Sequence, residues 1–372
     1  MKDKGSRELF REVIEPGLCA LCGACSSGCP YLTPGKGRVV LLDECTLLEG
    51  QCYQYCPRTY TDMDAVSQKI FGVPYGGDEL GVTREVLMAR STDSRIRERA
   101  QYGGTVTTLL SLALAEGLIE GAVLARMSPD RTPGAFLARD REELLQCAGS
   151  SYMACPVLEA LNRIPRESRE KLGIVATPCQ ALALGKMKVE PPQNRVNIDN
   201  VKLVVGLFCT WALSPDGFHQ FLVENLDLPK VTRFDIPPPP ANMFDAYTPQ
   251  GKVSFPLDEI RKFIMPACAC CLDMTAEFAD ISVGSVEGVE GWNTVIVRTD
   301  AGAELMKVAR AKRKLEVDVL PSPNLAHLKE AARLKKRRAL EEITARSGDR
   351  KDLLYLGLRE EVVDRLLGQG KG

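Results

Sequence analysis

The stretch "KLGIVATPCQALAL", residues 171–184, changes character twice within fourteen residues. Leu172 to Ala176 is a short apolar run closed by Thr177 and Pro178, the pattern of a buried strand. Pro178 then suits the first turn of a helix, and the residues after it are good helix formers. The segment reads as strand, turn, helix, with Cys179 at the turn.

The same alternation extends on both sides. "SRIRERAQ" reads as helical. "YGGTVTTLLSLALAEGLIEG" opens on a glycine pair and continues as an apolar helix ending at Gly117. "GAVLARM" is a strand, and "REELLQCAGSSY" and "PVLEALNRI" are helices with Gly149 and two serines between them. "VKLVVGLFCTW" is a buried strand ending in Cys209, and "ADISVGSVEGVEGWNTVIVRT" gives two strands joined by a glycine-rich loop. Residues 82–323 are therefore expected to form an α/β domain. Within it, "PPPPANMF" is a stiff connection. Residues 324–372 form a charged helical tail, whose basic run Lys335 to Arg338 reads either as a solvated face or as a dock for an acidic partner. Residues 71–81, "FGVPYGGDELG", read as a linker. Residues 1–70 make a small cysteine-rich unit, too small to stand without bound clusters.

The chain has 372 residues, 45% of them hydrophobic, and a net charge of −1. That leaves room for two or three domains and gives no global pull toward nucleic acid or an acidic membrane. No run of 18 apolar residues occurs and the N-terminus is charged, so neither a transmembrane helix nor a signal peptide is expected. Membrane association would have to come through a partner. The two histidines, His219 and His327, read as surface or helix residues and argue against His-based catalysis.

Fourteen cysteines are many, and seven crowd into residues 19–56. That spacing points to metal binding in a reducing cytoplasm rather than to disulfides. Cys19, Cys22, Cys25, Cys29 and Pro30 match C-x2-C-x2-C-x3-C-P, an iron–sulfur run in which the fourth cysteine serves a second cluster. A zinc ribbon lacks the third close cysteine and the Cys-Pro ending. Gly23 sits where the loop must turn hard. A second run, "DECTLLEGQCYQYCPR" (residues 43–58), ends alike but is one cysteine short. By the exchange rule, Cys19, Cys22, Cys25 and Cys56 hold one cluster, and Cys29, Cys45 and Cys52 a second. Glu49 falls in register with the missing ligand. It supplies an oxygen there, or the site is a three-iron cluster, or another cysteine completes it, or the second cluster is absent and Cys29 and Cys52 are left stranded. In "PACACC", Cys268 and Cys271 have a chelating spacing. Cys179 and Cys209 end strands that an α/β fold brings to one edge, so these four either make a third cluster or are ordinary thiols. Cys147, Cys155 and Cys270 read as packing residues.

From about Val82 onward the chain resembles the beta-subunit family of coenzyme F420-reducing hydrogenases and dehydrogenases. The matching stretches are "ARSTDSRIRERAQYGGTVTTLL", "AGSSYM", "TPCQAL", "CACCLDMTAEFADISVGSV" and "GWNTVIVRTDAG". The resemblance implies FAD, a four-iron cluster on Cys179, Cys209, Cys268 and Cys271, and hydride exchange with F420. It places FAD against Gln101, Gly103, Gly104 and Thr105, Gly149, Ser150 and Ser151, Thr177, and Ser282, Gly284 and Ser285. A glycine pair opening a helix suits a pyrophosphate, although no G-x-G-x-x-G occurs. "SVEGVEGW" departs from the shorter loop expected there and puts Glu287 near the flavin pocket, where a carboxylate opposes an anionic carrier. The N-terminal unit is similar to those of F420H2 dehydrogenase input subunits and formate dehydrogenase beta subunits.

The expected architecture is a small ferredoxin-like iron–sulfur domain, then a larger α/β flavin-binding domain and a C-terminal helix. The expected protein is a cytoplasmic oxidoreductase that works as part of a complex. It would pass electrons between F420 or NAD(P)H, FAD, two or three iron–sulfur clusters, and the other subunits of a hydrogenase, dehydrogenase or heterodisulfide-reductase-like complex. An electron-transfer subunit with no soluble substrate, and a stand-alone flavin-dependent reductase of an organic substrate, are the alternatives.

Overall fold

The computed structural model describes residues 4–368 except 36, 44, 194–196, 239 and 350. The first segment carries a hairpin of β1 (Leu32–Gly35) and β2 (Arg38–Leu41), then a two-residue strand β3 (Thr61–Asp62) leading into the helix Met63–Phe71. The main sheet follows with β4 (Glu85–Ser91), β5 (Gly121–Met127), β6 (Pro133–Ala138), β7 (Leu172–Ala176) and β8 (Val201–Leu207). β9 (Arg233–Asp235), β10 (Met243–Thr248) and β11 (Gly251–Pro256) form a separate antiparallel sheet. β12 (Ile281–Ser285), β13 (Asn293–Val297) and β14 (Leu315–Asp318) complete the main sheet, and β15 (Leu356–Gly357) pairs with β3.

The eight-stranded order is β14-β4-β13-β12-β8-β7-β5-β6. β12, β8, β7 and β5 are parallel neighbours, and β13 runs against both β12 and β4. The C-terminal ends of β4, β5, β7, β8 and β12 therefore share one edge. The opening stretch folds as read: all five residues of β7 are buried, and Thr177 and Gln180 form a reciprocal capping box at the start of the helix Pro178–Val189. That cap pairs backbone donors the first turn would otherwise leave unpaired.

The helices Thr105–Ala115 and Asp300–Ala311 cover one face of the sheet through Leu109, Leu110, Leu305 and Met306. On the other face, Leu9, Val13, Cys22 and Cys56 share one core with Leu158, Leu184, Leu340 and Val363. The cysteine-rich segment and the C-terminal tail are thus packed into the same interior as the sheet, and β15 adds Leu356 beside Thr61. A third core, not read from the sequence, joins the small sheet to the helix Pro215–Asn225 through Phe218, Phe234 and Phe244. Among the described residues, no helix is long and apolar enough to cross a membrane.

Two expectations change here. The stretch 71–81 is not a free tether, because Tyr75 and Leu80 are buried and Arg298 Nη1 donates to Leu80 O at 2.6 Å. Glycine and proline content reports an irregular backbone, not whether it is covered. Nor is Lys335–Lys336 a solvated face of the helix Ser322–Ser347, for both lysines are buried. Lys336 forms a buried ion pair with Glu277 and donates to Tyr75 Oη at 3.0 Å. Burial works against the charge, but Glu277, Tyr75 and Asp273 together outweigh it and hold Lys336 protonated, well above its usual range.

Removing one member of such a pair leaves a buried charge alone, which costs about 3–5 kcal/mol. Lys336→Met is therefore expected to lower the urea midpoint by that equivalent. Lys336→Met with Glu277→Leu should recover most of the loss in the same unfolding measurement.

Candidate functional site

Cys19, Cys22 and Cys25 lie on the loop after the first helical segment, and Cys56 follows the short helix Gln51–Gln54. All four line one small cavity with Leu9, Val13 and Ile14. Gly23 has φ +87°, and a Cβ there would stand 2.5 Å from Pro156 O. Only glycine fits so close an approach at positive φ. Asn162 Nδ2 donates to Gly23 O, Ala24 O and Ser26 O at 3.0, 3.2 and 2.7 Å, so one side chain holds the loop's carbonyls. Burial pushes the Cys22 and Cys25 thiols well up, and their neighbours among Cys19, Cys22, Cys25 and Cys56 push the same way. Cys56 is pushed up to about 11 by burial. Beside it, Lys186 Nζ donates to Cys56 O at 2.8 Å and Thr59 Oγ1 at 2.9 Å, and burial lowers this amine to about 8.

The second quartet grows from the sheet edge. Cys179 stands in the first turn after β7, Cys209 two residues beyond β8, and Cys268 and Cys271 on the loop before β12. Burial raises Cys179 to about 11 and raises Cys209 and Cys268, and each also feels other members of the group. At Cys271 burial acts upward, but Lys335 and Arg58 outweigh it and leave the thiol below its usual value. Ala212 N donates to Cys268 Sγ at 3.3 Å. Lys335 Nζ donates to Cys209 O at 2.6 Å and Asp273 O at 2.7 Å. The two quartets adjoin, since Cys22 and Cys179 lie within electrostatic reach of one another.

The structure thus gathers these eight cysteines as two groups. Of the remaining expected ligands, Cys52 is buried within electrostatic reach of Cys25, and Cys29 and Cys45 are partly exposed. Glu49 is exposed, on a loop with exposed Leu47 and Leu48. Among the described residues, no three His, Cys, Asp or Glu side chains form a group that could hold a single metal ion. Cys155 and Cys270 are buried core residues and Cys147 packs at a core margin.

The expected flavin contacts divide. Gly104, at φ +72°, is the N-cap of the helix Thr105–Ala115, which follows β4 and the short helix Ser94–Arg99, and Thr105 N donates to Asn293 Oδ1 at 3.2 Å. Gln101 Nε2 donates to Asp235 Oδ1 at 2.8 Å and to Tyr152 Oη. Gly149 and Ser150 are exposed and Ser151 half-buried on one loop, and Thr177 Oγ1 lies 3.3 Å from Cys179 Sγ. Ser282, by contrast, is fully buried; it accepts from Arg298 Nε at 2.8 Å and donates to Ala276 O at 3.1 Å. Gly284 serves packing, because a Cβ would fall 1.9 Å from Phe208 Cδ2. Ser285 is exposed at the end of β12. Glu287 faces His327 Nε2 at 2.6 Å and acts electrostatically on Tyr102, whose phenol burial pushes up to about 12.

Sequence reading missed the buried cations Arg58, Lys186 and Lys335, and the trio Tyr102, Tyr152 and Asp235. "CPR" marks Arg58 as a neighbour of a ligand cysteine, but nothing local says it is buried. The loop clamp gives a test on the chain without metal. Asn162→Ala removes the donor shared by Gly23 O, Ala24 O and Ser26 O, at about 1–3 kcal/mol. Alkylation of Cys22 and Cys25 should then speed up roughly tenfold under native conditions, read by mass spectrometry, with Cys147 unchanged.

Two family models for the beta subunit of coenzyme F420 hydrogenase/dehydrogenase match the chain. The model of its N-terminal part matches residues 86–162, and the model of its C-terminal part matches residues 169–322. The chain is 37% identical over 273 residues to the beta subunit of coenzyme F420 hydrogenase from Methanothermobacter thermautotrophicus, covering 72% of this chain and 96% of that one. It is 29% identical to the F subunit of F(420)H(2) dehydrogenase from Methanosarcina mazei, covering 84% and 88%. A chain of the F420-reducing NiFe hydrogenase complex from Methanosarcina barkeri superimposes with a TM-score of 0.66 at 32% identity, covering 72% of this chain and 94% of that one. The mixed α/β chain described above therefore belongs to the coenzyme F420 hydrogenase/dehydrogenase beta-subunit family of oxidoreductases.

Proposed function

We propose that this chain is the flavin- and cluster-bearing subunit of a redox complex, and that it exchanges electrons between a soluble hydride carrier, F420 or NAD(P)H, and partner subunits. The observation that carries the reading is the pair of adjoining cysteine quartets, the first largely buried and the second half-buried, each set against buried cations. Bound FAD supplies hydride exchange, and bound iron–sulfur clusters supply one-electron transfer.

The donor sets fit that role. Cys19, Cys22, Cys25 and Cys56 offer four thiolates to one four-iron cluster, and Cys179, Cys209, Cys268 and Cys271 to another. Burial disfavours the charged thiolates, and Lys186, Lys335 and Arg58 favour them. Ala212 N–H fixes the direction of the Cys268 sulfur. FAD is assigned to the sheet edge along Gln101–Thr105, Gly149–Ser151 and Thr177, where the helix start at Gly104 would offer its N-terminal end to a pyrophosphate. Cys29, Cys45 and Cys52 are assigned to a further cluster of the ferredoxin-like unit, residues 1–70, with Glu49 as the in-register fourth ligand. No side-chain acid or base is required for hydride exchange, in keeping with only two histidines.

Anaerobically reconstituted chain is expected to hold roughly 12 irons, or about 11 with one three-iron site. Cys179→Ser with Cys268→Ser should lose about four. About eight in the parent chain would remove the Cys29, Cys45 and Cys52 cluster. Flavin bleaching by F420H2, NADH or NADPH, followed spectroscopically, identifies the carrier. Bleaching by none would sink the soluble-carrier reading in favour of electron transfer alone.

A further inference from the structure

Arg58 is 4% exposed, yet the ionisable groups that bear on it most are Tyr355, Cys271 and Cys179 rather than a carboxylate. Its Nη1 donates to Tyr355 Oη at 3.0 Å and to Pro57 O at 3.3 Å, and its Nη2 to Ala267 O at 3.4 Å. These contacts seat the guanidinium on the loop that carries Cys268 and Cys271, where Tyr355 Oη in turn donates to Cys270 O at 2.6 Å, and Cys271 lies within its electrostatic reach. The guanidinium lies 4.8 Å from the centroid of the Tyr355 ring, and its Nε finds no partner among the described residues. Two residues before it stands Cys56, of the other quartet. Arg58 thus belongs by sequence to the first quartet and by contact to the second.

Burying a guanidinium without a counter-charge is strongly unfavourable. Arginine cannot shed its proton to escape that cost. The counter-charge within reach is the thiolate sulfur of the second quartet. A fixed positive charge at a ligand sulfur favours the more negative, reduced state of whatever the sulfurs bind, and charge and hydrogen bonds at sulfur are what set cluster potentials. Resting on the cluster reading above, we propose that Arg58 is a positioning residue reaching from the first quartet to the second, where its charge at Cys271 raises the potential of the cluster on Cys179, Cys209, Cys268 and Cys271 and biases electrons toward it.

The full chain, purified anaerobically, is titrated by EPR as wild type, Arg58→Gln, Arg58→Lys and Tyr355→Phe. The signal lost in Cys268→Ser identifies the second cluster. Arg58→Gln with full iron should lower that signal's midpoint by a tenfold change in electron sharing or more, about 59 mV for one electron. Arg58→Lys should restore most of it. Tyr355→Phe, which removes the packing partner's hydroxyl but keeps the charge, should leave it in place. An unmoved midpoint in Arg58→Gln, or an equal shift in Tyr355→Phe, overturns the proposal while the clusters stand. Should Arg58→Gln lose its iron, wild type grown on 15N-arginine decides: pulsed EPR must show a 15N coupling in the second-cluster signal, and its absence overturns the proposal. A wild-type chain with no four-iron signal overturns the cluster reading itself.

Discussion

The arrangement turns on charge buried without a carboxylate. Arg58, Lys186 and Lys335 point their heads at backbone carbonyls and at cysteines. Carbonyl dipoles satisfy their hydrogens but not their charge, and each such cation costs several kcal/mol to desolvate. The thiols around them have the opposite difficulty. Burial works against ionisation at Cys22, Cys25, Cys56, Cys179, Cys209, Cys268 and Cys271, and of these only at Cys271 do the neighbouring cations prevail. Neutral thiols beside buried cations leave both unfavourable terms standing. As thiolates on a metal cluster, the two offset each other. Under the proposed cluster reading, the bound thiolates would supply the negative charge that balances these cations.

The first 70 residues do not form a core of their own. Here Leu9, Val13 and Val66 share the core of Leu158, Leu184 and Leu340. The tail closes the same core: Tyr355 Oη donates to Cys270 O at 2.6 Å, and β15 pairs with β3. Segments from the beginning, middle and end of the chain thus meet around the quartets, and their mutual positions are fixed by packing rather than by a tether.

Much of this was legible locally. β7, its capping box and the helix after it follow from one short stretch whose propensities agree, and the C-x2-C-x2-C spacing with Cys56 pointed to the first quartet. Cys179 and Cys209 could be placed on one edge because parallel strands present their C-terminal ends together. Lys335 could not be read, because its buried side is set by where the helix Ser322–Ser347 docks, and a run of four basic residues has no apolar stripe to announce it. Ser282 failed for a related reason. On a strand buried on both faces, a serine can turn to an internal partner such as Arg298 as readily as to a ligand, and the alternation that separates faces in an exposed sheet is missing.

The order of the sites follows from covalent distance as much as from folding. Thr177, a proposed flavin contact, and Cys179, a proposed cluster ligand, are two residues apart, a span of at most about 7 Å. Cys179 is coupled to Cys22 of the next quartet, and Cys25 to Cys52 beyond it. That sequence of neighbours leads from the sheet edge through the shared core to the loop of Leu47 and Leu48, 69% and 74% exposed. A relay needs one end open to a soluble carrier and the other to a partner, with water kept from the middle. In the proposed relay, buried Cys22, Cys25 and Cys56 with the buried cations would form the covered middle, and the two ends would lie where the chain is loop rather than strand.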